Sequence, residues 1–192
     1  MLNQLTSLYK SIFAQVERLL EPWLLPSLAR FVFAAVLFTY FYQSGLSKID
    51  FGNGILGFLK PTANGFVQIF PKVAEAVFYD ISQASFFHKL VIVLGGWSEI
   101  LLPLMIVLGL LTRLASVGMI GFVVVQSLTD LYGHGGIAHK ETLGVWFDKI
   151  SDAAILDQRA FWMLLFVVLI VRGAGPISVD AILGLNRKND DA

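Results

Sequence analysis

Apolar residues recur along the chain in two different rhythms. At the N-terminus they return every three or four residues, at Leu2, Leu5, Leu8, Tyr9, Ile12, Phe13, Val16, Leu19 and Leu20. Asn3, Gln4, Ser7, Lys10, Ser11, Gln15 and Arg18 fill the gaps. This spacing puts one continuous apolar stripe on a helix. Glu21-Pro22 ends it, because the residue before a proline is pushed out of helical geometry. Residues 1–22 are therefore predicted to form an amphipathic helix lying in a membrane interface, with docking to a partner as the second use of the stripe. Beyond it the alternation disappears. Four stretches, 26–46, 90–111, 114–132 and 155–174, are apolar on nearly every side. A run of about 20 residues at about 1.5 Å per residue crosses a hydrocarbon core about 30 Å thick.

The connections are unequal. Residues 47–89 are too many for a turn, and the part from 72 to 90 carries enough apolar positions for a further interfacial helix or a lid over the bundle. Spans two and three join tightly through Leu111-Thr112-Arg113, which predicts an antiparallel hairpin. Spans three and four are joined by a glycine-bearing segment, 133–154, in which Trp146, Phe147 and Ile150 are placed to seat on the membrane. The predicted fold class is thus all-α: an integral membrane four-helix bundle over 26–185, preceded by an interfacial helix and followed by a polar tail, 186–192.

Composition agrees with this pattern. Hydrophobic residues make up 56% of the 192 and charged residues 15%, against about a quarter charged in a soluble domain. The mean hydropathy is +0.72. The net charge is +0, so there is no basic footprint for nucleic acid. Cysteine is absent, which excludes disulfides, a thiol nucleophile and thiolate-held zinc or iron–sulfur centres. Lysine and arginine divide seven to each side of the four spans, so charge alone does not orient the chain.

Ionisable groups inside apolar spans are where function is to be sought, because each costs roughly 2.5 kcal/mol or more at mid-depth unless paired or wetted. Glu99 is the sharpest case, within Gly95-Gly96-Trp97-Ser98-Glu99 and four residues before Pro103. Lys48 closes the first span. Arg159 belongs inside the fourth, because the apolar run 160–171 has 12 residues, about 18 Å, and cannot cross alone. Gln126, Asp130 and His134 are spaced by four and rise along one face of the third span. Lys48, Trp97, Glu99, Gln126, Asp130 and Arg159 are accordingly the candidates for a buried polar site. They form either a funnel open to the long-loop side or a set of pairs that only fixes helix packing. Arg30, Arg113 and Arg172 mark the opposite ends of the spans and read first as head-group anchors; Asp180 is placed to pair with one of them. His134, His139 and Glu141 form a weak metal candidate, since two loop histidines five apart lack a helical ligand pattern. No Gly-x-Ser-x-Gly elbow occurs.

Three ordered motifs, Phe41-Tyr-Gln-Ser-Gly-Leu-Ser-Lys48, Glu99-Ile-Leu-Leu-Pro-Leu-Met-Ile-Val-Leu-Gly-Leu-Leu-Thr-Arg113 and Arg172-Gly-Ala-Gly-Pro-Ile-Ser-Val-Asp180, make the chain resemble the DoxX/DoxD-like family of four-helix bacterial membrane proteins. The resemblance implies a multi-pass protein of the bacterial inner membrane with cytoplasmic termini. It also implies a role as a membrane subunit or accessory in redox, sulfur-linked or metal-stress systems. Self-sufficient catalysis is not indicated. With no thiolate and no facing histidine pair for haem, electron transfer needs a bound quinone or a partner's cofactor. The partners implied are the bilayer and a protein partner or a second copy. Two other readings stay open: a small-solute or metal transporter, and a non-catalytic scaffold.

Overall fold

The computed structural model describes residues 2–52, 54 and 56–186; all but the first residue of the polar tail at 186–192 lies outside them. Among the described residues the structure is helical, with one isolated antiparallel bridge between Ile49 and Pro61. Four helices among them are long and apolar enough to cross a membrane: Leu24–Lys48, Phe86–Leu108, Thr112–Gly133 and Ala154–Arg172, here spans 1 to 4.

Local chemistry explains the ends of the spans. Span 2 begins four residues earlier than the hydropathy window predicts, because the Ser85 hydroxyl accepts from the His88 amide and caps the helix there. It ends at Gly109, whose φ of 69° closes the helix in the left-handed conformation that glycine adopts without strain. Span 4 reaches back through Arg159 to Ala154, and its first turn is π-helical. Its 19 residues cover about 28 Å.

The spans pack as a closed ring in chain order, span 1 touching both span 2 and span 4. Phe33, Leu37, Phe41, Met119, Phe166 and Leu169 are fully or almost fully buried in the core of the bundle. The outward faces are the apolar ones: Phe31 is 68% exposed, while Lys48 is 4% and Glu99 2% exposed. That inversion is the signature of a chain whose solvent is lipid.

Around the bundle lie the smaller elements. The N-terminal helix, Leu2–Leu20, presents Leu5, Leu8, Tyr9, Ile12, Phe13, Val16 and Leu19 as an exposed stripe, and Glu21 just after it pairs with Arg172. The long first loop holds two short helices, Ala63–Ile69 and Pro71–Ala76. Phe66, Ala74, Ala84 and Ile92 form a second small core that seats this loop on the end of span 2. The segment 72–90 supplies most of the helix Pro71–Ala76, the turn Ile81–Gln83 and the core residues Ala74 and Ala84, and the helix Ala63–Ile69 before it, capped by Thr62 accepting from the Gly65 amide at 3.0 Å, completes the cover.

Spans 1 and 2 approach closely through glycine. A Cβ added at Gly45 would lie 2.7 Å from the Gly96 carbonyl and 2.7 Å from Ile100, whereas one added at Gly121 on span 3 meets nothing within 4 Å. The same substitution should therefore act with opposite signs. Gly45→Ala is expected to cost about 1–3 kcal/mol by overpacking, and Gly121→Ala to gain about 0.5–1 kcal/mol from helix entropy. Unfolding in mixed SDS micelles measures both, and a stabilising Gly45→Ala would refute the close approach.

Candidate functional site

Ser44 and Lys48 lie one turn apart on the same face of span 1, and Glu99 faces them from span 2. Lys48 Nζ donates to Glu99 Oε2 at 2.7 Å, to Ser44 Oγ at 2.7 Å and to the Ser44 carbonyl at 3.2 Å. Ser44 Oγ in turn donates to Glu99 Oε1 at 3.1 Å. The three ammonium protons and both carboxylate oxygens are thereby engaged, which is the condition for keeping a buried ion pair. The glycines at 45 and 96 bring the two helices close enough for these contacts. Pro103, having no N–H, leaves the Glu99 carbonyl without its usual helical donor and loosens span 2 at the same level.

A second ion pair joins spans 3 and 4. Arg159 pairs with Asp130, donates from Nη1 to Ser127 Oγ at 2.7 Å, and sits 5.8 Å from the centre of the Trp162 ring. Its Nε is buried without a partner. Asp130 stands in a π-helical turn, Thr129–Gly133, and its side chain is 34% exposed. Between the two pairs, Gln126 Nε2 donates to the Tyr40 hydroxyl at 2.8 Å.

These groups surround a cavity of about 480 Å³ among spans 1, 2 and 3. Tyr40, Ser44, Lys48, Glu99, Gln126 and Asp130 supply its polar wall, and Leu94, Leu102, Phe122 and Val125 the apolar one. Gln68 and Ile69, at the end of the short helix Ala63–Ile69, roof it, and His134 Nε2 meets the Gln68 carbonyl at 2.9 Å. The opening expected towards the loops is therefore covered. The mouth lies sideways, where Leu94 is 57% and Val125 60% exposed beside exposed Gly121. Spans 2 and 3 touch near their shared turn, a Cβ on Gly118 falling 3.0 Å from Leu102, and have parted one turn later at Gly121. A second cavity, about 530 Å³, opens between spans 1 and 4 and is lined by Val36, Gln158, Arg159, Phe161 and Trp162. Tyr40 lines both.

Of the residues expected at the polar site, Lys48, Glu99, Gln126 and Asp130 share the first cavity, and Arg159 stands behind Asp130 in the second. Trp97 does not join them. Its Nε1 donates to the Phe58 carbonyl at 2.9 Å and its ring meets Phe51 edge-on, so it braces the long loop. The polar groups not anticipated are Ser44, Tyr40, Ser127 and Gln68. Tyr40 and Ser44 carried a signal, the fourfold spacing Tyr40, Ser44, Lys48 along one helix face.

The arginines on the terminal side differ from one another. Arg172 pairs with Glu21, and Arg113 lies beside Gly173. Arg30 is turned into the protein instead of towards head groups. It donates to the carbonyls of Ile106 (3.0 Å), Val107 (2.6 Å), Ala174 (3.0 Å) and Ile177 (2.5 Å). Asp180 forms no salt bridge with an arginine among the described residues, although its charge interacts with Arg30; its carboxylate accepts from the amides of Leu111 (2.6 Å) and Thr112 (2.9 Å) and caps span 3. His139 and Glu141 approach to 3.6 Å on the surface, away from His134's contact with the short helix. Among the described residues no three His, Cys, Asp or Glu side chains gather as a metal site.

Fold and cavity together define a small polytopic membrane protein with an internal cavity that has polar groups on part of its wall. The family model described as DoxX matches residues 25–129, more than half of the chain, and the chain belongs to that family. The match takes in Lys48, Glu99 and Gln126 and stops just before Asp130. No curated protein and no solved structure matches the chain.

Proposed function

We propose that this DoxX-family protein is a membrane subunit or accessory of a quinone-linked redox system, and that the chamber between spans 2 and 3 takes the quinone head group. The observation that carries the reading is the lateral mouth. A ligand that arrives through lipid, with an isoprenoid tail and a flat polar head, needs an apolar doorway at the hydrocarbon level and hydrogen-bonding groups behind it. Leu94, Gly121 and Val125 supply the first, and Tyr40, Gln126 and Asp130 the second. Electrons in this reading pass between the quinone and a redox centre on a protein partner. In this reading the protein lies in a bacterial inner membrane with cytoplasmic termini. Its N-terminal helix rests in the head-group layer, where the exposed stripe from Leu5 to Leu19 finds an apolar bed.

Gly121→Leu tests the doorway. The new side chain meets no neighbour at its Cβ and projects into the mouth, so folding should be unaffected while the opening closes. Purified protein in lipid nanodiscs is expected to bind decylubiquinone saturably by titration calorimetry, and Gly121→Leu to lose at least about tenfold in affinity. Binding no stronger than to empty nanodiscs would end the quinone reading.

A further inference from the structure

Counting donors and acceptors at the chamber separates the groups that can touch a ligand from those already committed to one another. Lys48 directs its three protons to Ser44 and Glu99, and both Glu99 oxygens are taken by Lys48 and Ser44. An incoming head group could engage this cluster only by breaking it, and a buried ion pair stripped of one contact is costly. Tyr40 is in the opposite situation. Its hydroxyl oxygen accepts from Gln126 Nε2 at 2.8 Å, so its own proton points away from that amide. With the amide in this orientation the Tyr40 proton has no protein acceptor among the described residues, and Gln126 Oε1 is buried without a donor. A half-exposed phenol at the junction of two cavities is a donor held ready for a ligand oxygen.

The ring is held as well as the hydroxyl. It packs against Phe41 at 5.0 Å and Trp162 at 5.8 Å between centroids, and Gln126, anchored on span 3, fixes the oxygen. A phenol positioned in this way loses little freedom on binding, the circumstance in which one hydrogen bond contributes most to recognition.

We propose that Tyr40 is the ligand-contacting residue of the chamber, donating its hydroxyl proton to a carbonyl oxygen of the head group, while the Lys48–Ser44–Glu99 cluster positions the wall without touching the ligand. This rests on the quinone reading and adds to it the point of contact and the chemical requirement: an acceptor oxygen on the ligand, facing span 1.

The test pairs two proteins with two ligands. Wild type and Tyr40→Phe, which keeps the packed ring, are titrated in lipid nanodiscs with decylubiquinone and with decylbenzene, which has the same tail and no oxygen. Tyr40→Phe is expected to weaken decylubiquinone binding by about tenfold, leaving decylbenzene binding unchanged and lowering the thermal unfolding midpoint only by the loss of the single Gln126 hydrogen bond. A merely structural role for Tyr40 would lower both affinities together, and that result, or no loss at all, overturns the assignment while leaving the quinone reading intact. If wild type binds decylubiquinone no better than decylbenzene, the quinone reading falls and the assignment with it.

Discussion

Replacing Glu99 by leucine is expected to destabilise the folded bundle by about 3–5 kcal/mol, and adding Lys48→Met to recover most of that loss. The asymmetry follows from burial. Glu99 and Lys48 are 2% and 4% exposed and bonded to each other at 2.7 Å. Removing the carboxylate leaves a buried ammonium with only Ser44 to solvate it. Removing both charges leaves an apolar contact of similar volume between the same helices, and the desolvation cost of both ions disappears with them. Unfolding of the four proteins of the cycle in mixed SDS micelles, followed by tryptophan fluorescence, gives the coupling directly. A Glu99→Leu cost below about 1 kcal/mol would mean that water reaches the pair and that the wall is wetter than the structure makes it.

Arg30→Ala is the other substitution with a large expected effect, about 3 kcal/mol or more. One guanidinium satisfies four carbonyls drawn from the end of span 2 and from the segment after span 4. Hydrogen bonds from a charged donor contribute roughly 1.5–3 kcal/mol each, without strict additivity. Lysine should rescue less than half of the loss, since a single ammonium cannot reproduce the planar fork that reaches four acceptors at once. The same SDS titration measures both variants. Full rescue by Arg30→Lys would show that charge alone matters there and that the carbonyl contacts are incidental.

The spans are legible in the sequence because length and hydropathy are local properties. A polar interior is legible too, because buried charge is costly whatever the neighbours are. The fourfold spacing of Gln126 and Asp130 likewise puts them on one helix face by periodicity alone. Direction is what the sequence does not disclose. Spans that are apolar on nearly every side carry little record of which side faces protein and which faces lipid, so an arginine at a span end reads as a head-group anchor even where, as at Arg30, it turns inward. Trp97 is a different case, decided by helix geometry. Residues two apart on a helix point roughly 200° apart, so Trp97 and Glu99 cannot share a cavity. The sideways mouth depends on Gly118 and Gly121 sitting on either side of the level at which spans 2 and 3 part, a property of two helices together. Ser85 and Asp180, which set where spans 2 and 3 begin, act through caps that a hydropathy window does not see.

Asp180 and Arg30 also bear on the order in which this protein is made. The amides at the start of span 3 are satisfied by a carboxylate that lies beyond span 4, and the guanidinium of span 1 needs carbonyls at 174 and 177. A chain emerging from the ribosome therefore places three helices in the membrane before either partner exists. Until the last helix has been inserted, the turn between the second and third must be solvated by lipid head groups or by the insertion machinery. The ring can be sealed only once the segment after span 4 has been made, so until then the first three helices stand as an open set.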